Sequence, residues 1–213
     1  LPQTQKYLLQ EVLTGLPPEM RECMLRASVL DRFCAEILDA TCWSSDSSEP
    51  SKLSGRQMVA LLQQHNLFTI KLDARGKWYR YHHLFQELLR MQLTETRPPE
   101  EIAELHSRAS AWFESEGHVT EAIQHALAAG EEVEAAAIVE RHRRTELDAD
   151  RWHEVERWLA LLPREIKGQR PALLLGEAWS LYERFHFEQM VPILNRVEAL
   201  LDDAQDGAHH SPQ

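Results

Sequence analysis

Apolar residues recur at helical spacing along most of this chain, and over one short stretch the pattern turns β-like. Tyr7, Leu8, Leu9, Val12 and Leu13 mark a first helix over Gln5 to Leu13, closed by Gly15 and the Pro17-Pro18 pair. Pro18 suits a first helical position and Glu19 the positive end of the dipole. With Met20, Cys23, Met24, Ala27 and Leu30 on one side, a second helix follows. Ile37 and Leu38 face a third, from Ala35 to Cys42. Ser44 to Ser51 is Ser-rich and acidic and reads as a loop. Ser54-Gly55-Arg56-Gln57 has capping-box form and opens a helix ending near His65-Asn66, with Met58, Leu61 and Leu62 inward. Leu67 to Leu72 and Trp78 to Tyr81 are β-prone runs joined by Asp73-Ala74-Arg75-Gly76, a turn sequence, and together they predict a hairpin. Leu84, Phe85, Leu88, Leu89 and Met91 then predict a helix from His82 to about Leu93.

Three helices followed by a hairpin make a winged helix, assigned to residues 1–96. Arg97-Pro98-Pro99 is the clearest break, because proline removes a donor and pushes the residue before it out of the helical region. Beyond it the pattern is paired helices: Glu100 to Glu116, Thr120 to Ala129, Glu131 to Arg144, Asp150 to Leu162, Pro171 to Arg184 and Glu188 to Leu201. Gly117 and Gly130 are helix stops. First helices recur every ~32 to ~39 residues, which brackets a tetratricopeptide-like period. The fold class is therefore mainly α. A winged-helix domain with a small β-hairpin is followed, over 97–201, by antiparallel helix pairs stacked as a right-handed superhelix. The stretch 202–213 has little apolar content and reads as a disordered tail.

The 213 residues carry 23 Lys and Arg against 34 Asp and Glu, a net charge of -11 that disfavours direct DNA binding. Cys23, Cys34 and Cys42, an odd number without CxxC spacing, suit reduced thiols in a cytoplasmic protein. No apolar run reaches the roughly 20 residues of a membrane span. The chain begins at Leu1 rather than Met and reads as part of something longer.

Leu25-Arg26-Ala27-Ser28-Val29-Leu30-Asp31-Arg32-Phe33-Cys34, His65-Asn66-Leu67-Phe68 and Trp78-Tyr79-Arg80-Tyr81-His82-His83-Leu84-Phe85 resemble the winged-helix region of MalT-type activators. Leu105 to Phe113 and Glu121 to Gly130 resemble the helical segment that follows it. These are large LuxR-family regulators with a STAND nucleotide switch. The resemblance implies an ATPase module before this region, more repeats after it, and a C-terminal helix-turn-helix that binds promoters. It also aligns His82-His83-Leu84 with the Met-His-Asp signature of related switches, where the first His reaches the β-phosphate of ADP. On that match His82 is an ADP phosphate sensor, operating only in the intact protein. Tyr81 and His83 depart from the signature.

No G-x-x-x-x-G-K-S/T loop occurs, so this fragment carries no cofactor of its own, and ATP and ADP belong to the intact regulator. It is read as non-enzymatic, since no nucleophile-and-base grouping can be defended. Among the 11 histidines, His82 with His83 and His118 with His125 lack metal-ligand spacing, so no metal site is assigned; His209-His210 lies in the tail. Lys71, Arg75, Lys77 and Arg80 give the wing a basic patch, readable as a phosphate contact or as a solvated edge. Trp112, Trp152, Trp158 and Trp179 fall on apolar stripes and are read mainly as core. The expected role is a central regulatory fragment coupling nucleotide state and inducer binding to self-association and to promoter binding by modules outside this chain. Its expected partners are its own nucleotide-binding module, an inducer on the repeat surface and further copies of itself on activation, with no membrane contact. The alternative is a stand-alone helical-repeat protein-binding adaptor.

Overall fold

A computed structural model describes residues 13–43, 53–65 and 67–209, with side chains through Asp203. The predicted helix from Gln5 and the Ser44 to Ser51 loop lie outside the described residues. The chain forms two compact units that part between Phe113 and Glu114.

In the first unit, α1 (Pro18–Ala27) begins on proline and buries Met20, Cys23, Met24 and Ala27. It stops short of the predicted Leu30 because the buried Ser28 hydroxyl donates to the Leu25 carbonyl, competing with the helical ladder. The second helix, α2 (Ala35–Cys42), buries Ile37, Leu38 and Cys42. The predicted capping box opens α3 (Gly55–Gln64). The Gln57 amide donates to Ser54 Oγ at 3.3 Å, and the Ser54 amide donates to Gln57 Oε1 at 2.8 Å. Gly55 is there for space as well, since a Cβ would overlap the Ala35 carbonyl oxygen, and its N–H donates to Asp39 Oδ1 at 2.6 Å.

The hairpin is β1 (Thr69–Lys71) and β2 (Tyr79–Tyr81), antiparallel, with Thr69 opposite Tyr81 and Lys71 opposite Tyr79. Asp73 organises its turn by accepting the Lys77 and Trp78 amides, and Gly76 takes the left-handed conformation at φ +65°. Phe33 adds an unpredicted third edge, exchanging two 2.8 Å backbone bonds with Tyr79. Next come α4 (His83–Thr96) and α5 (Pro99–Ser115). The Arg97-Pro98 step turns the chain between them without separating them from the winged helix. Arg97 pairs with Glu22 of α1 at 2.7 Å, Arg26 of α1 reaches Glu101 of α5 at 3.5 Å, and Arg108 of α5 donates to the Trp43 carbonyl.

The second unit consists of α6 (Val119–Ala128), α7 (Glu132–Asp148), α8 (Trp152–Leu161), a short α9 (Arg164–Lys167), α10 (Pro171–Glu183) and α11 (Phe187–His209). Packing follows chain order: α6 on α7 and α8, α7 on α8 and α10, α8 on α10, α10 on α11. Gly117 and Gly130 take positive φ, as the helix-stop reading requires, and Asp150 and Phe185 take it without glycine. Two expectations change here. Trp179 is 48% exposed rather than core. The helix predicted to end at Leu201 continues to His209, into the stretch read as a disordered tail. Among the described residues no helix is long and apolar enough to cross a membrane.

Candidate functional site

The wing returns to the body of the first unit through Tyr81-His82-His83. Tyr81 is the anchor. It is fully buried, with its ring 4.9 Å from Phe33 and 5.9 Å from Phe85. Burial pushes its phenol well above the ordinary value, and its hydroxyl has no hydrogen-bond partner among the described residues, so it serves as a neutral apolar peg. Strand alternation then turns His82 outward.

His82 is the N-cap residue of α4. Its amide donates to the Phe68 carbonyl at 2.6 Å and its carbonyl accepts from the Gln86 amide at 2.9 Å, which fixes the backbone on both sides. Its imidazole makes no capping bond. An exposed ring with two nitrogens therefore stands beside the first-turn N–H groups of a 14-residue helix, an arrangement suited to an anion. The helix itself is clamped to the turn after α1. Gln86 Nε2 donates to the Ser28 and Leu30 carbonyls, and Arg90 donates to Ser28 and pairs with Asp31 at 2.8 Å.

His83 faces solvent and reaches Glu87 at 3.2 Å along the helix, so the two adjacent histidines do not act together. Lys71, Arg75, Lys77 and Arg80 are all exposed, with Lys77 and Arg32 approaching the Trp78 ring at 5.9 and 4.2 Å. Among the described residues no group of three His, Cys, Asp or Glu converges as metal ligands; His125 is buried and His118 stands at the N-cap position of α6. His209 and His210 lie outside the described side chains. The three cysteines are buried, and burial pushes the Cys34 thiol up to about 11. Of the four repeat tryptophans, only Trp158 is fully core, its indole donating to Thr120 Oγ1 at 2.9 Å.

The sequence reading missed the apolar surface beside His82. Phe68, at 52% exposure and φ +45°, lays its ring 4.9 Å from that of Phe85, and Leu84 next to Phe85 is 58% exposed. Ile70 and Leu72 continue the exposed stripe along the strand. The available signal was parity: with Tyr79 and Tyr81 inward, Ile70, opposite Arg80, has to face out, whereas the left-handed Phe68 lies outside the alternation.

The MalT winged helix domain family model matches residues 9–101. The chain is 31% identical over 94% of its length to serine/threonine-protein kinase PknK of Mycobacterium tuberculosis, covering 17% of that protein. It is 30% identical over 92% of its length to HTH-type transcriptional regulator MalT of Yersinia enterocolitica, covering 21%. For the Klebsiella pneumoniae MalT the values are 28%, 96% and 22%. The chain thus spans about a fifth of the length of the curated relatives it matches. Residues 9–101 match a winged-helix domain of the MalT type, and nearly the whole chain is similar to stretches of the MalT regulators and of PknK.

Proposed function

We propose that this chain is the transmission piece of such a regulator, relaying the state of a nucleotide held by another module of the polypeptide to self-association and promoter binding. The observation that carries the reading is His82: an exposed imidazole on a rigid strand-to-helix junction, pegged by Tyr81 and Phe85, with unsatisfied helix N–H groups beside it. Those groups fit a phosphate oxygen. A neutral imidazole N–H donates to it, and a protonated one adds charge assistance. The relay needs contacts that differ between nucleotide states, and the junction supplies donors for one anionic end. In the intact regulator, His82→Ala is expected to weaken ADP binding roughly 10-fold, as loss of one charge-assisted bond does, and to raise the oligomer fraction without inducer. Nucleotide titration with gel filtration measures both; unchanged ADP affinity and resting state would remove His82 from the mechanism.

A second reading, a protein-binding helical repeat, is favoured by the aromatic side chains on α10, on α11 and in the turn between them. Trp179, Tyr182, Phe185 and Phe187 form consecutive ring contacts near 6 Å and all are exposed. Trp179→Ala with Phe187→Ala should then abolish partner binding and leave ADP affinity alone.

A further inference from the structure

We infer that Cys23 and Cys42 form a reversible redox site, a dithiol that hydrogen peroxide closes into a disulfide between α1 and α2, locking the core of the winged helix. The two helices pack on each other. The Cys42 thiol donates to the Cys23 carbonyl at 3.6 Å, and the Cys23 thiol in turn is bonded to the Cys42 side chain. Both residues are fully buried. Thiols already in contact need only a small side-chain rotation to reach the roughly 2.05 Å of an S–S bond. The Tyr81 phenol lies against the same pair: after burial, Cys23 and Cys42 are what push it up, and its hydroxyl has no partner among the described residues. Phenylalanine and alanine would fill this space without desolvating three polar groups, so packing alone does not account for them. Cys34 stands apart at the N-cap of α2, and the 8 residues of that helix set it about 12 Å from Cys42 along the axis.

Cys42 reacts first, because it is the last residue of α2 and helix ends open most readily. Burial, and then the bond to Cys42, holds the Cys23 thiol well above its usual pKa in the interior of α1, which suits the second step. Once opening lets Cys42 lose its proton to water, its sulfur attacks the peroxide. The O–O bond breaks, hydroxide leaves and takes up a proton, and a sulfenic acid remains. Cys23 then gives up its proton and attacks that sulfur, and the S–O bond breaks as water departs. The two thiols together lose two electrons, and the peroxide is reduced to two waters. The bridge joins residues 19 apart in the chain, so it removes freedom chiefly from the unfolded state and stabilises the closed core beneath Tyr81.

The test treats this 213-residue chain with hydrogen peroxide and maps its cysteines by mass spectrometry of a non-reduced digest. Cleavage after Arg, Lys and Glu puts Cys23, Cys34 and Cys42 in separate peptides, 23–26, 33–36 and 37–49, so no variant is needed for the assignment. The expected result is peptide 23–26 linked to 37–49, with a melting midpoint about 10 °C higher that a dithiol reductant restores to its starting value. Cys34→Ala should keep both the link and the rise. Cys23→Ala and Cys42→Ala should each abolish them, and melting of the reduced variants shows whether they fold; where they do not, the map of the unsubstituted chain decides. Cys23 and Cys42 left as free thiols overturn the inference, as does a link from either of them to Cys34 or to a second copy of the chain. A bridge that forms only in denaturant, or one that leaves the melting midpoint unchanged, overturns it equally.

Discussion

Each unit is held together internally on its own length scale. In the winged helix, polar ties reach across the whole sequence: Gln86 to Ser28 spans 58 residues, Arg90 to Ser28 spans 62 and Arg97 to Glu22 spans 75. In the helix pairs they reach about one helix along: Arg141 to Glu114 spans 27 residues, Arg184 to Glu156 spans 28 and Arg170 to Glu140 spans 30. A unit closed by its most distant residues opens as a whole, whereas one closed by neighbours opens in sections. A site that has to keep a fixed donor geometry, such as the His82 junction, gains from the first kind of unit.

The strongest break of that contrast is Phe33→Ala. The ring is fully buried against Tyr81 and its backbone closes the wing, so about 3–5 kcal/mol should be lost, with exchange rising together at α1, β2 and α4. Melting followed by residue-resolved hydrogen exchange reads it; a loss confined to the wing would show that the unit is not cooperative. Gly55→Ala comes next. The new Cβ forces α3 off α2 at Ala35, and about 1–3 kcal/mol is expected with the same unit-wide signature. Arg170→Ala in the other unit should cost about 0.5–1 kcal/mol, with faster exchange only in α7 and α10 and none of the winged-helix amides affected.

The smallest effect separates the units by pH. Burial, then Arg90, lowers the His106 pKa in α5, so the folded first unit prefers the neutral imidazole. That contribution is complete above about 6.5, the unfolded value, and is lost as pH falls through the lower folded value. In the second unit the Arg141 bond, and after it that of His142, holds the Glu114 carboxyl below its usual range. Its contribution persists until pH falls below about 4.3. Acidification from about 6.5 to about 4.5 should therefore weaken only the first unit, and His106→Gln should flatten that slope in amide-resolved melts. Parallel acid losses in both units would contradict the assignment.

Much of this was legible in local pattern. The span of α2, the Ser54 box and the Asp73 turn are written in consecutive residues whose chemistry acts within a few positions. The Phe33 edge was not legible, because a single extended residue between two helices carries no periodic signal. Trp179 shows a second limit: a stripe identifies which face is apolar and not whether anything covers it. The extension of α11 was missed because low apolar content was read as disorder, although it limits burial rather than helix formation. At the candidate site, His82 was visible only through its likeness to other switches. The exposure of Ile70 in the wing followed from strand parity, which needs the register to be known.

The bond between Phe33 and Tyr79 also sets an order of events during synthesis. At roughly 5–20 residues per second, α1 and α2 leave the ribosome seconds before β2 exists to cover them. The exposed backbone of Phe33 must wait for its partner, and the wing closes only once Tyr79 arrives. The helix pairs have no such delay, because each closes on the one just made. A nascent chain stalled between α3 and β2 should therefore present its apolar α1 and α2 surfaces to chaperones, and one stalled within the pairs should not.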